Sequence, residues 1–135
     1  FFFDHQNAEA RVPDLITASG TDWGMTKPPL YGWTLSKLRD AHPFFRDTER
    51  LMDAYEPMVR QVHFWLETRD GDGDGLPEYH HGCDSGWDNG TAFLDCLPSA
   101  SPDLAAWLIL QLEEMARLAM QIGRPEEAAR WTKEA

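Results

Sequence analysis

The sequence predicts an all-α fold in which long polar loops join the helices. Two segments, Asp47–Thr68 and Ser101–Ile122, repeat apolar residues at spacings of three and four, which is the period of one helix face. No segment alternates apolar and polar residues convincingly enough to predict a strand. Two stretches rich in glycine and polar residues, Arg11–Lys27 and Asp70–Ala100, separate the helical patterns and are predicted to be loops.

The first two helices lie in the N-terminal half of the chain. One is expected from Leu30 to about Ala41, directly after two prolines, and the next from Asp47 to Thr68. The apolar face of the second consists of Leu51, Tyr55, Val59, Val62 and Leu66, with Trp65 beside it. Because proline lacks an amide donor and clashes with the preceding turn, Pro57 predicts a break or kink near Ala54–Pro57.

The last two helices are predicted to form an αα-hairpin. Ser101–Pro102 supplies an N-cap and a favourable first helical residue. The apolar stripe that follows contains Leu104, Trp107, Leu108, Met115, Leu118, Ala119 and Ile122. Leu110 and Leu112 widen the stripe, so this helix is expected to be covered on more than one side. Gly123 ends it and Pro125 starts the next helix, and so short a link makes the two helices antiparallel.

Charge and composition exclude several classes of partner. The chain has 23 acidic and 12 basic residues, a net charge of -11. Such an acidic protein is not expected to bind nucleic acid or anionic lipid, whereas a neutral ligand such as a sugar is compatible with it. There is no apolar run long enough for a membrane span and no signal-peptide pattern. The sequence does not determine the cellular compartment, although the cytoplasm is favoured. It does not determine the oligomeric state. Of the two cysteines, Cys83 and Cys96, free thiols are favoured over a disulfide.

The stretch DGDGDGLPEYH resembles the start of an EF-hand calcium loop. Asp70, Asp72 and Asp74 are followed by Gly75, as in that loop. However, His81 stands where a bidentate glutamate is needed, and no EF-like helix is expected after it. A solvated turn at the end of a helix is the favoured interpretation, and calcium binding is the alternative.

His80 and His81 offer a weak zinc hypothesis, with Asp84 or Cys83 as further ligands. Adjacent histidines point in different directions and their spacing fits no standard zinc signature, so hydrogen bonding at a pocket rim is favoured. Ser85 is a poor candidate nucleophile, because it lies in DSGWD rather than in a G-x-S-x-G elbow. No metal and no other cofactor is expected.

The hexapeptide SGWDNG, residues 85–90, suits sugar binding. The Trp87 indole offers a flat apolar face, and Asp88 and Asn89 offer an acceptor and an amide beside it. A sugar has apolar C–H faces and a ring of hydroxyl groups that match these two kinds of contact. A buried tryptophan flanked by turn-capping Asp and Asn is the equally weighted structural interpretation.

Three segments of the chain resemble the (α/α)6-toroid glycoside hydrolases, in which they occur in the same order: DHQNAEARVPDLI, KPPLYGWTLSKL and RDGDGDGLPEYHHGCDSGWDN. The resemblance is closest to glycoside hydrolase family 63. That family includes processing α-glucosidase and mannosylglycerate hydrolase-like enzymes. The resemblance implies that residues 1–135 are part of one toroidal catalytic domain, incomplete at both ends. It also implies an inverting α-glycosidase acting on α-glucosides or related small glycosides.

The resemblance assigns the general acid to Asp88. It assigns sugar contacts to Lys27, Tyr31, Trp33, Glu78, Trp87 and Asn89. Gly90 departs from the serine that is common at its position in the family. The base of the family is a glutamate well downstream, for which residues 1–135 offer no candidate. Two alternatives remain, namely a non-catalytic carbohydrate-binding helical module and a calcium-binding helical module.

Overall fold

The computed structural model describes all 135 residues and confirms the all-α class. Its four α-helices are α1 (Tyr31–Ala41), α2 (Thr48–Thr68), α3 (Pro102–Gln121) and α4 (Pro125–Glu134). The first three begin and end within a residue or two of their predicted bounds, and α4 begins at the predicted Pro125. The longest stretch without an α-helix is 69–101, which corresponds to the predicted Asp70–Ala100 loop.

Four short strands correct the expectation that no strand forms. β1 (Leu15–Thr17) pairs antiparallel with β2 (Gly20–Asp22), and β3 (Glu78–Tyr79) pairs antiparallel with β4 (Ser99–Ala100). Strands of two or three residues are too short to show an alternating pattern, so the sequence held no signal for them. The second pair connects residues 78–79, inside the long loop, to residues 99–100 near its C-terminal end.

The chain divides into two compact units. The first contains Phe1–Pro28 and His63–Ala105, and the second contains Pro29–Val62 and Ala106–Ala135. The buried apolar side chains of the first unit are Val12, Phe64, Trp65, Tyr79 and Leu104. Those of the second unit are Leu51, Tyr55, Met58, Val62, Leu108, Leu112, Met115, Leu118, Ala119, Ala128 and Trp131.

The expected break in α2 does not occur, because the helix continues through Pro57. Tyr55 and Met58, on either side of the proline, are fully buried, and their packing holds the chain helical there. The predicted face of α2 is shifted slightly, since Met58 is buried whereas Val59 is only half-buried.

The α3–α4 connection confirms the predicted αα-hairpin. Gly123 has a φ of +81°, and its N–H donates to the Met120 carbonyl at 3.3 Å. The Arg124 N–H donates to the Ala119 carbonyl at 2.7 Å. These two bonds form a Schellman motif, which satisfies the last carbonyl groups of α3.

A buried tyrosine joins α2 to α4 within the second unit. The Tyr55 hydroxyl donates to Glu127 Oε2 at 2.7 Å and accepts from Trp131 Nε1 at 2.7 Å. Burial raises the pKa of Tyr55 to about 12. The hydroxyl therefore stays protonated and keeps its donor at any physiological pH.

Helix α1 approaches α3 closely at Gly32, between Tyr31 and Trp33. The Gly32 N–H donates to Gln111 Oε1 at 3.3 Å, and Gln111 Nε2 donates to Gln61 Oε1 at 2.9 Å. A Cβ at Gly32 would lie 2.5 Å from the Cα of Gln111. Glycine is therefore required at this position by the distance between two backbones.

Gly32→Ala should destabilise the protein. Overpacking against backbone costs about 1–3 kcal/mol, of which the better helix propensity of alanine offsets up to about 1 kcal/mol. We expect a net loss of about 1 kcal/mol or more in urea unfolding. Gly82→Ala is the matched control, since its new Cβ would meet only Phe93 at an ordinary 3.4 Å. Equal stabilities for the two variants would contradict the close backbone approach.

Candidate functional site

The buried carboxylate of Asp84 organises the loop that carries the candidate site. Only 3% of Asp84 is exposed. Its Oδ1 accepts from the Thr26 N–H at 2.8 Å, and its Oδ2 accepts from the N–H groups of His80 and His81 at 3.2 and 3.1 Å. Three main-chain donors thus satisfy both oxygens, so the carboxylate has a structural use.

Two arginines surround Thr26 beside this carboxylate. Arg69 Nη2 and Arg11 Nη2 both donate to Thr26 Oγ1, at 2.8 and 3.2 Å. Arg69 Nη1 lies 3.7 Å from Asp84 Oδ2. Burial lowers the pKa of Arg69, the nearby Asp84 opposes that change, and Arg11 adds to it. Asp84 is therefore the buried countercharge of the Arg69 guanidinium.

Lys27 lies next to this network. Its Nζ donates to the Cys83 carbonyl at 2.7 Å and lies 3.6 Å from Asp14 Oδ1. About a third of the lysine side chain stays exposed. The ammonium group has more donors than these two contacts use, so it can also bind a ligand hydroxyl.

The SGWDNG segment divides into a buried base and an exposed tip. Ser85 is buried, its Oγ donates to the Gly82 carbonyl at 2.6 Å, and the Trp87 N–H donates to the same Oγ at 2.9 Å. Gly86 then turns the chain outward with a φ of +76°. The Trp87 side chain is 70% exposed, and Asp88 and Asn89 are exposed beside it.

Asp88 differs from every other acidic side chain between residues 70 and 88. The other five, Asp70, Asp72, Asp74, Glu78 and Asp84, each accept at least one hydrogen bond from a main-chain N–H. The Asp88 carboxylate accepts none and is open to solvent. The interpretation of Asp88 as a turn cap is therefore wrong, and its carboxylate is free for a ligand.

The three aspartates of the calcium hypothesis bind their own loop. Asp70 accepts from the N–H groups of Gly73 and Gly75, at 2.9 and 3.0 Å. One oxygen from each of Asp70, Asp72 and Asp74 lies within 4.8 Å of the others. Turn formation accounts for their hydrogen bonds, and calcium binding stays a prediction for calorimetry to test.

Glu78 is 8% exposed and closes the same loop. Its Oε2 accepts from the Gly71 N–H at 3.1 Å, and its main chain pairs with Ala100 in the β3–β4 ladder. One side-chain oxygen is left for a ligand. The predicted sugar contact of Glu78 stays a prediction.

Tyr31 and Trp33 belong to the second unit, at the start of α1. Burial raises the pKa of Tyr31 to about 12, so its hydroxyl stays neutral. Trp33 is 44% exposed and packs edge-to-face against Trp107, with ring centroids 6.1 Å apart. An exposed indole held by a second aromatic ring is a suitable surface for a sugar face.

The residues of the zinc and serine-nucleophile hypotheses have structural roles in this loop. His81 Nδ1 accepts from the Cys83 N–H at 3.1 Å and caps the short 3-10 helix Gly82–Ser85. Cys83 and Cys96 are free thiols, as favoured. The Ser85 hydroxyl is engaged by main-chain groups on both sides, as described above. None of these groups is arranged for nucleophilic chemistry.

Asp84 is the residue whose importance sequence reasoning missed. The sequence contains two aspartates four residues apart, and both looked available for chemistry. The only sequence feature that distinguishes Asp84 from Asp88 is its position in DSG-x-D, directly before the serine that the structure buries. Its main partner, Thr26, is 58 residues away in the sequence.

An exposed carboxylate beside an exposed indole, on a rigidly held loop of a helical domain, is an arrangement expected of a carbohydrate-active enzyme. The chain matches a family model described as "Mannosylglycerate hydrolase MGH1-like glycoside hydrolase domain" over residues 1–135. It therefore belongs to that family of glycoside hydrolases, and its substrate is a carbohydrate. No curated protein matches it significantly. None of its helices is long and apolar enough to cross a bilayer.

Gly86→Ala should destabilise the loop through backbone conformation alone. No atom lies within 4 Å of the new Cβ, whereas a left-handed φ costs an L-residue about 1–2 kcal/mol. We expect a decrease of about 1 kcal/mol in the free energy of unfolding. Gly86→Asn is the matched control, since asparagine tolerates this conformation. If alanine and asparagine cost the same, the left-handed turn is not the cause.

Proposed function

We propose that this domain hydrolyses α-glycosides by the inverting mechanism, with Asp88 as the general acid. The observation that supports the proposal is that Asp88 alone, among the acidic side chains of residues 70–88, is not engaged by main-chain donors. The resemblance to glycoside hydrolase family 63 gives the same residue the same role. α-Glucosides or related small glycosides are the proposed substrates.

In the proposed reaction, the protonated Asp88 carboxyl donates its proton to the leaving glycosidic oxygen. In this proposal the sugar lies on Trp87, next to that carboxyl. A second carboxylate, about 6.5–9.5 Å away on the opposite face, deprotonates the attacking water. The anomeric carbon exchanges its bond to the leaving oxygen for a bond to the water oxygen, with inversion.

The proposed binding contacts come from the residues that the family resemblance assigns to the sugar. The Trp87 indole packs against the C–H face of the sugar, while Asn89 and the Lys27 ammonium bind hydroxyl groups. Glu78 contributes its free oxygen. Tyr31 and Trp33 keep their predicted sugar-binding role on the strength of the family resemblance.

The general base is proposed to be a glutamate beyond residue 135, in the rest of the same toroidal domain. Glu78 and Asp84 do not suit the role. Both belong to the loop that carries Asp88, so we expect them on the acid's side of the sugar, and Asp84 has both oxygens occupied. Residues 1–135 are thus proposed to be the acid-bearing part of the domain.

Asp88→Asn in the full-length protein should abolish acid assistance while leaving the fold intact. For an alkyl α-glycoside we expect kcat/KM to fall about 10²–10⁴-fold, the usual contribution of general acid catalysis. For an α-glycosyl fluoride, whose leaving group needs no proton, the fall should be below about tenfold.

Asp95→Asn is the matched control, since Asp95 is exposed in the same segment and should be silent. Equal losses on both substrates would remove Asp88 from the acid role. Sugar binding without any turnover by the unaltered full-length protein would instead favour the non-catalytic carbohydrate-binding module.

The 135-residue chain by itself should not hydrolyse glycosides, because it is proposed to lack the base. The assay uses aryl α-glucosides, glucosyl disaccharides and mannosylglycerate as substrates. The Asp88→Asn form of the same chain provides the background. Turnover above that background would show that these residues contain their own base.

A further inference from the structure

We infer that Asp84 is a positioning residue that couples the Lys27 segment to the loop bearing Asp88. The inference rests on the proposed function, because it concerns how the proposed acid and a proposed sugar contact are held in one geometry. Asp84 itself does not contact substrate. It is buried, and three main-chain donors engage its two oxygens.

Two parallel connections join the segments. Asp84 Oδ1 accepts from the Thr26 N–H at 2.8 Å, and the residue before it, Cys83, accepts from Lys27 Nζ at 2.7 Å. Thr26 directly precedes Lys27, and Cys83 directly precedes Asp84. Each segment therefore contributes two consecutive residues to these connections, which together form the junction. A shift of the His80–Ser85 backbone must therefore move the Lys27 ammonium as well.

Hydrogen bonds continue from this junction towards Asp88 through the buried part of the SGWDNG segment. Ser85 follows Asp84, and its hydroxyl oxygen accepts from the Trp87 N–H at 2.9 Å. Asp84 Oδ2 fixes the other end of the same turn through the N–H groups of His80 and His81. Asp88 thus directly follows Trp87, whose N–H is bonded to the buried turn that Asp84 holds.

Charge makes Asp84 hard to replace. Arg69 Nη1 lies 3.7 Å from Oδ2, and both Arg69 and Arg11 donate to Thr26 Oγ1. Asparagine would keep the size and one acceptor oxygen. It would lose the second acceptor and leave the Arg69 guanidinium without its buried countercharge, so the junction should loosen.

The first test compares kinetics and amide exchange in the full-length protein. Asp84→Asn should lower kcat/KM per folded molecule about ten- to a hundredfold, the scale of a small misplacement of reacting groups. Hydrogen exchange at the N–H groups of Thr26, His80 and His81 should accelerate at least about tenfold, because their acceptor is weakened. Asp95→Asn should change neither measurement.

The second test is a kinetic double-mutant cycle. Lys27→Met and Asp84→Asn each perturb the same junction, so their combined loss in kcat/KM should be well below the product of the single losses. If Asp84→Asn does not fold, Asp84→Asn combined with Arg69→Gln removes both members of the buried ion pair and should give the same kinetic loss.

The outcomes separate this inference from the proposed function. Unchanged exchange at Thr26, unchanged kcat/KM per folded molecule, or fully multiplicative losses would each overturn the positioning role. Asp88→Asn tests the reaction independently. If its loss does not depend on the leaving group while Thr26 exchange still accelerates, the proposed function fails and the coupling by Asp84 stands as a structural fact.

Discussion

The first unit of this domain depends on one buried carboxylate. Asp84 receives hydrogen bonds from three main-chain N–H groups and faces the guanidinium of Arg69. A buried ion is expensive unless its hydrogen-bonding capacity is filled, and here both oxygens are occupied. Removing the carboxylate would take an acceptor from the Thr26, His80 and His81 amides and the countercharge from Arg69.

This arrangement explains how the exposed tip of the SGWDNG segment can be held in place. The tip that carries Trp87 and Asp88 has few contacts of its own, which is what access to a substrate demands. Precision must therefore come from the residues beneath it. Ser85 and Asp84 are buried, and Gly86 makes the left-handed turn between base and tip. A rigid base under an open tip is the usual way to preorganise a reacting group that must stay accessible.

The helices were predictable from sequence because their signal is local. Apolar spacing, the Ser101–Pro102 start and the Gly123 stop each act within a few residues, and the structure follows them. The short strands were not predictable, since two or three residues show no period. The break at Pro57 was predicted from local chemistry, and the burial of Tyr55 and Met58, a tertiary effect, outweighs the lost amide.

In the candidate site, too, the sequence predicted what depends on local residue types but not what depends on tertiary contacts. The residue types of SGWDNG and the family resemblance pointed to Asp88. They could not show which of the clustered carboxylates are engaged by main-chain donors, because that depends on contacts such as Thr26 to Asp84 across 58 residues. Six acidic side chains lie between residues 70 and 88, and folding commits five of them to turns, loop closure or the buried network. The sixth, Asp88, takes no part in holding the loop together, so a ligand can contact its carboxylate without disturbing the loop.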